Sequence, residues 1–343
     1  MNTSLTLQAL PSWAARLCLD AERFLRHACP EDLAGKRLLL AVSGGIDSTA
    51  MALILSALAP RLGVGLTCAH MDHGLRPDSH LDARQADDLC RTLGLDCRQE
   101  RRDVRALAEC WRTGLEDAGR RARQDFLERA RHEAGAAVVC LAHQLDDLAE
   151  DQLMRALRGA GWPALGGMRA WDPARRLLRP LLMTPKSSLR RLLEATNLTW
   201  REDPSNQSRD FTRNRVRQDL LPTMLRENPD YLRTAAELWR QARADETHWN
   251  HEISCLDTGQ SSPLGRLLPG RTLQGASQAL RLRLFKRCVE AAGPGQALAA
   301  TLHALDEAWL KRLTSKVFFF PGGATAVVER EGVRFLGGPD TDA

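Results

Sequence analysis

A Rossmann-like parallel α/β domain, followed by a mostly helical region that ends in a small β hairpin set, is the fold class this 343-residue chain predicts. Three observations predict it. Apolar runs at 37–42, 64–69 and 136–142 each lead into a segment with helical apolar spacing, the alternation of a parallel sheet covered on both faces. Beyond about Arg213 long stretches keep helical spacing, and Lys316 to Leu336, "KVFFFPGGATAVVEREGVRFL", carries β-rich runs broken by Pro-Gly-Gly and Glu-Gly. In such sheets ligands lie beyond the carboxyl ends of the strands, so the residues just after each run are read for chemistry.

Taken in order, residues 12–28 have the spacing of a helix that feeds the first strand at 37–42. Helices are expected at 213–228, 230–254, 276–292 and 296–313, and the change of pattern puts a boundary near 215: a catalytic domain at 1–215 and a C-terminal domain at 216–343. Thr184-Pro185 reads as a cap followed by proline at a first helical position. No window approaches the roughly 18 uninterrupted apolar residues of a membrane span, and no basic-then-apolar leader opens the chain, so a cytoplasmic protein without a membrane partner is expected. The nine cysteines form no CxxC pair and read as small core residues. Net charge is +5, and only five of the 48 basic residues are lysines. Arginine suits bidentate phosphate contact, which allows a nucleic-acid partner.

Four stretches carry candidate chemistry. After the first strand, Ser43, Gly44, Gly45, Ile46, Asp47 and Ser48, "SGGIDS", bring bare N–H groups and a positive helix end to one place. The spacing is neither GxxxxGK[ST] nor GxGxxG. An aspartate at an anion-binding helix end makes sense with a magnesium ion between carboxylate and phosphate; a capped strand-to-helix turn explains the same residues. After the second strand, His70-Met-Asp72-His73-Gly74-Leu-Arg76 suits a metal site, a nucleotide-facing loop or a polar turn at Gly74. Within "GLEDAGRRAR", Glu116, Arg120 and Arg123 share a helix face, where a solvated Glu116–Arg120 pair is worth only about 0.3–0.5 kcal/mol. After the third strand, "HQLDDLAED" places Asp147, Glu150 and Asp151 at i, i+3 and i+4, where like charges repel and a facing cation, magnesium or a substrate ammonium, would relieve them.

Those stretches carry a family resemblance. SGGIDS resembles the SGGxDS PP-loop of the ATP pyrophosphatases, which grip the outer phosphates of ATP and split it between the α and β phosphates. The His70–Arg76 block resembles the HxDHGLR block of tRNA(Ile)-lysidine synthetases. Glu116–Arg123 resembles their "EAxARxxRY" helix, with Gly119 for alanine and Gln124 for tyrosine. The block from His143 resembles "HHxDDxxET", with Gln144 for histidine and Asp151 for threonine. Arg158-Gly-Ala-Gly161, Arg179-Pro-Leu-Leu182, Asp203-Pro-Ser-Asn206 and Arg213-Asn-Arg-Val-Arg217 follow in the same order, so the likeness covers 37–217 by blocks and the rest in outline.

What the resemblance implies is ATP-dependent ligation of free L-lysine to the wobble cytidine of tRNA(Ile) with a CAU anticodon. ATP and Mg2+ are the implied cofactors, and a homodimer stands among the partner expectations. Ser43 to Ser48, His70, Arg76 and Arg123 are expected at ATP, with Asp47 also as metal ligand. Asp47, His143, Asp147 and Glu150 are expected to be catalytic, with Asp147 and Glu150 holding lysine. Arg120, Asn206, Arg213 and Arg217 are expected on the tRNA, Arg209 joining the last two in a basic stripe. A 2-thiocytidine-type thiolase would need reactive cysteines, usually CxxC. An amide-forming synthetase would not require the later blocks, and a non-catalytic RNA-binding relative would not need SGGIDS with Asp146, Asp147 and Glu150 intact.

Overall fold

A computed structural model describes residues 6–201, 209, 211–256, 260–262, 265–293 and 297–337. Helix α1 (Ser12–Ala28) precedes strand β1 (Arg37–Ala41), whose Leu38, Leu39 and Leu40 are fully buried, as befits a central strand. Helix α2 (Ile46–Leu62) buries residues all around its circumference and ends at Gly63, whose φ of 65° closes the helix. There follow β2 (Gly65–Asp72), α3 (Ser79–Leu93), β3 (Cys97–Arg101), α4 (Val104–Trp111), α5 (Leu115–Glu133), β4 (Ala136–Cys140) and α6 (Leu145–Leu157). Two short strands, β5 (Trp171–Asp172) and β6 (Leu177–Leu178), and helix α7 (Lys186–Ala195) come next.

The sheet order is β3-β2-β1-β4-β6-β5, parallel throughout except for the β5–β6 pair. The chain steps outward from β1 through β2 to β3, then returns to the other side of β1 with β4. That reversal opens a crevice at the carboxyl ends of β1 and β4, where the PP-loop and the acidic helix begin. Three strands went unseen in the sequence: β3, "CRQER", is a polar edge strand, and β5 and β6 are two residues each. The expected Thr184 cap is also corrected. Helix α7 starts at Lys186 with Pro185 in the cap position and no side-chain cap, and buried Thr184 instead accepts the Leu145 N–H through its carbonyl.

Residues 212–227 form one helical run: α8 (Thr212–Arg215), a π-helical stretch Val216–Leu220, and α9 (Leu221–Glu227). Helix α10 (Tyr231–Leu256) follows. The compact units are Met1–Ala242 and Arg243–Ala343, so the division falls inside α10 and not near 215. The reason is packing: Ala236 and Trp239 bury against Leu145, Leu148 and Leu182, and Ala235 against Ala149 and Leu221.

The second unit holds β7 (Gln260–Ser262), β8 (Gly265–Pro269), α11 (Gly270–Gly275), α12 (Gln278–Ala292), α13 (Ala299–Leu310), β9 (Val317–Phe319), β10 (Thr325–Val328) and β11 (Gly332–Leu336). Its antiparallel sheet runs β7-β8-β11-β10-β9, so the expected hairpin set is extended by two earlier strands. Gly332 is needed where β11 starts, because a Cβ there would lie 1.9 Å from the Leu268 carbonyl oxygen. In the core, Arg281 donates to Asp306 at 2.6 and 3.1 Å and to the Ala276 carbonyl at 2.7 Å. Asp306→Ala would leave that guanidinium buried without its counter-charge. We expect a loss of about 3–5 kcal/mol in urea unfolding, and recovery of part of it in the double variant Arg281→Met/Asp306→Ala.

Candidate active site at the carboxyl edge of the parallel sheet

The PP-loop is folded as a cradle and not as a capped turn. Gly45 occupies the position before α2 and no side chain caps the helix, so the first-turn N–H groups of Ile46, Asp47 and Ser48 have no intrahelical partner. The loop is braced from within. Ser48 Oγ accepts the Ser43 N–H at 3.1 Å, lies 3.1 Å from Ser43 Oγ and donates to the Gly45 carbonyl at 3.0 Å. Gly44 has φ 83°, and a Cβ there would come within 3.2 Å of the Asp82 carbonyl oxygen. From outside, the Arg201 N–H donates to the Gly44 carbonyl at 3.0 Å, while its guanidinium holds Asp82 and Asp78 at 2.7 and 3.1 Å.

Asp47 does not cap α2. Its Oδ1 is buried and has no hydrogen-bond partner, and its Oδ2 lies 3.8 Å from Lys186 Nζ. Lys186 also donates its backbone N–H to Asp146 Oδ2 at 3.0 Å, so one residue of α7 bridges the cradle and the acidic helix. No sequence motif singled out Lys186; its being one of only five lysines was the one available signal.

Helix α6 begins with a capping box. The Gln144 side chain accepts from the Asp147 N–H at 3.4 Å, and Asp147 Oδ2 accepts the Gln144 N–H at 3.1 Å. Gln144, where the family pattern has histidine, therefore works as a cap. Asp151, where the pattern has threonine, is paired with Arg155 Nε at 2.7 Å. Opposite Asp147 and Glu150 the structure places two cations of the chain itself, neither the magnesium nor the ammonium that the spacing suggested. Arg213 donates to Asp147 Oδ1 at 2.8 Å and Glu150 Oε2 at 3.1 Å; Arg217 donates to Glu150 Oε1 at 2.6 Å and Asp147 Oδ1 at 3.0 Å. Burial alone would lower both arginine pKa values, yet the two carboxylates hold them above the ordinary range. Arg213 and Arg217 thus face the acidic helix and are not a stripe free of protein partners. Arg209 alone is solvated, paired with Asp219 at 2.6 Å, and Asn206 lies outside the described residues.

The other expected residues divide. His70 is buried at the end of β2, with Nδ1 on the Val42 carbonyl at 2.8 Å and Nε2 without a partner, so it backs the loop instead of lining open space. Arg76 is tied to Asp82 and lies 3.9 Å from Asp78, which places it in the brace around the PP-loop. Asp72 Oδ1 accepts the Gly74 N–H at 2.8 Å and Gly74 has φ 63°, so the 70–76 block makes a tight polar turn at Gly74. Arg120 is exposed and pairs with Asp117, not Glu116. Arg123 lies on the exposed side of α5, with Arg213 and Arg120 among its charged neighbours. At Gly119 a Cβ would meet His73 and Val104 at 3.5 Å, so the family's alanine would fit equally well.

Burial raises the Asp47 carboxyl to about 6, with Lys186 opposing the rise and Asp147 adding to it. A carboxyl raised by folding binds its proton more tightly in the folded chain. Its ionised form therefore destabilises the fold above pH 6, and the penalty vanishes as pH falls towards 4. Asp47→Asn should accordingly stabilise the chain by about 1–3 kcal/mol at pH 7.5 and by almost nothing at pH 4. Thermal melts at the two pH values check this.

Known proteins resemble this chain in sequence and fold. A family profile described as a PP-loop domain matches residues 19–224. A tRNA(Ile)-lysidine synthase of Nitratidesulfovibrio vulgaris is 43% identical, covering 94% of this chain and 99% of its own length, and one of Bradyrhizobium is 34% identical over 95% and 90%. Against the longer Geobacter sulfurreducens relative, 36% identical, the matched region spans 55% of that protein. A U34-tRNA thiolase of Methanococcus maripaludis superposes with a TM-score of 0.56 at 18% identity, over 68% of this chain and 80% of its own, which speaks for the fold alone. With the cradle, the acidic helix and near full-length similarity in hand, the chain belongs to the tRNA(Ile)-lysidine synthase family of PP-loop proteins.

Proposed function

We propose that this cleft ligates lysine to C2 of the wobble cytidine of tRNA(Ile) with a CAU anticodon, at the expense of ATP. The observation that carries the reading is an uncapped PP-loop helix beside a buried carboxylate pair suited to an ammonium. In the first step the cytosine 2-carbonyl oxygen attacks the α-phosphate and pyrophosphate departs. In the second the lysine amine attacks C2, AMP departs and lysidine remains. A sulfur-transferring reading has little to work with, because of the nine cysteines only Cys110 and Cys255 are exposed, and these lie on α4 and α10.

The chain's residues divide the work. The N–H groups of Ile46, Asp47 and Ser48 and the Lys186 ammonium meet the outer phosphates, supplying positioning and charge stabilisation. Asp47 fits a magnesium ion, since its buried Oδ1 is an acceptor without a partner, and ATP oxygens and water would complete the shell. When bound, magnesium supplies neutralisation of charge on the phosphates and on departing pyrophosphate. Lysine arrives protonated, with a reference pKa of about 10.4, and must lose a proton before its amine attacks. Asp147 and Glu150 hold that ammonium, but only once Arg213 and Arg217 have turned away. Phosphate offers those guanidiniums an alternative bidentate partner, so ATP and the tRNA backbone uncover the carboxylates as they bind.

Two measurements test this. With ATP, labelled lysine and tRNA transcripts, lysine incorporation should occur with CAU in the tRNA(Ile) body and fall at least about 100-fold in Asp147→Ala and Glu150→Ala. Near wild-type lysine affinity in both variants would remove the acid pair from the lysine site. Calorimetric titration of lysine should show binding tightened about tenfold by a non-hydrolysable ATP analogue, with Arg217→Gln binding lysine better than wild type when nucleotide is absent. Equal lysine affinity with and without the analogue would refute the displacement.

A further inference from the structure

His143, just after β4, and Arg179, just after β6, are joined by a hydrogen bond that can run in one direction only. Arg179 Nε lies 3.0 Å from His143 Nδ1, and a guanidinium has donors but no acceptor. Nδ1 must therefore present its lone pair, which puts the ring proton on Nε2. Arg179 is itself held firmly: its backbone N–H donates to the Ala170 carbonyl at 2.9 Å and its Nη1 to the Arg169 carbonyl at 2.8 Å. The charged groups facing His143 are Asp147 from α6, Arg179, Arg213 from α8 and Arg123 from α5, one anion against three cations. Burial first, then the three arginines against the opposing pull of Asp147, bring the ring down to about 3, so it is neutral at physiological pH.

We infer that Arg179 is a positioning residue that locks His143 as the neutral Nε2–H tautomer, making His143 a hydrogen-bond donor and not the base that takes the lysine proton. The second half of this rests on the reaction proposed above. With His143 excluded, the ammonium proton passes to a carboxylate of the Asp147–Glu150 pair, and the freed amine pair forms the bond to C2. A neutral donor at His143 suits the negative charge that collects on phosphate oxygen during adenylation and on departing AMP. It also adds no positive charge to a pocket that must accept an ammonium.

The test is nitrogen NMR of the full chain labelled at histidine, with the ring assigned by its loss in His143→Gln. In the wild type we expect Nε2 protonated, Nδ1 bare and no titration between pH 5.5 and 8. Arg179→Met should give a tautomer mixture or a titration inside that window and lower kcat about tenfold or more, with KM for ATP little changed. Arg179→Lys, which keeps a donor, should restore the tautomer and part of kcat. A wild-type ring protonated at Nδ1, or doubly protonated at pH 6.5, would overturn the inference. So would an unchanged ring in Arg179→Met; should that variant not fold, the wild-type and Arg179→Lys spectra decide. The two readings fail separately: a locked ring in an enzyme that makes no lysidine sinks only the reaction, and a titrating ring in an enzyme that makes it sinks only the lock.

Discussion

The cluster of Asp147 and Glu150 with Arg213 and Arg217 is the interaction on which the rest of the catalytic unit turns. Two carboxylates on adjacent turns of a buried helix repel each other, and Glu150 is only 1% exposed. Water cannot screen them there, so the fold supplies two guanidiniums from a segment more than sixty residues away. That requirement draws the 212–220 run onto α6, and with it the packing of α10 and the position of the boundary between the units. The π-helical stretch at Val216–Leu220 lies directly in this run, a local irregularity of the kind that accompanies functional sites.

Around that cluster the site is assembled from groups whose ordinary preferences are frustrated. Asp47 is an acid made reluctant to ionise, and His143 a base with its basic nitrogen already spoken for. Each would be easier to satisfy with a neutral residue. Such local conflicts in an otherwise well-packed core mark where folding has been subordinated to ligand chemistry. The second unit's buried Arg281–Asp306 pair differs in kind, since it is fully matched within its own core.

Much of this was legible in the sequence, for identifiable reasons. Strands β1, β2 and β4 are buried on both faces and so appear as apolar runs, and the glycines of SGGIDS are bound to the turn they make. Strand β3 escaped because an edge strand needs no apolar signature, and Lys186 because a lone lysine at a helix start belongs to no motif. The arginines at 213 and 217 were legible as a pair but not as partners of the acids, because spacing along a chain says which residues share a face and nothing of what faces them. Departures from the family pattern proved informative: Gln144 and Asp151 became a cap and a helix-surface ion pair, roles that depend on neighbours three or four residues away.

Arg201 adds a mechanical consequence. Its N–H is fastened to the Gly44 carbonyl while its guanidinium grips Asp78 and Asp82 at the start of α3. A single residue thereby makes the phosphate turn and the head of α3 one mechanical body, so α3 cannot shift without carrying the Gly44 carbonyl with it. The shape of the cradle is then tied to the seating of a helix that lies outside it.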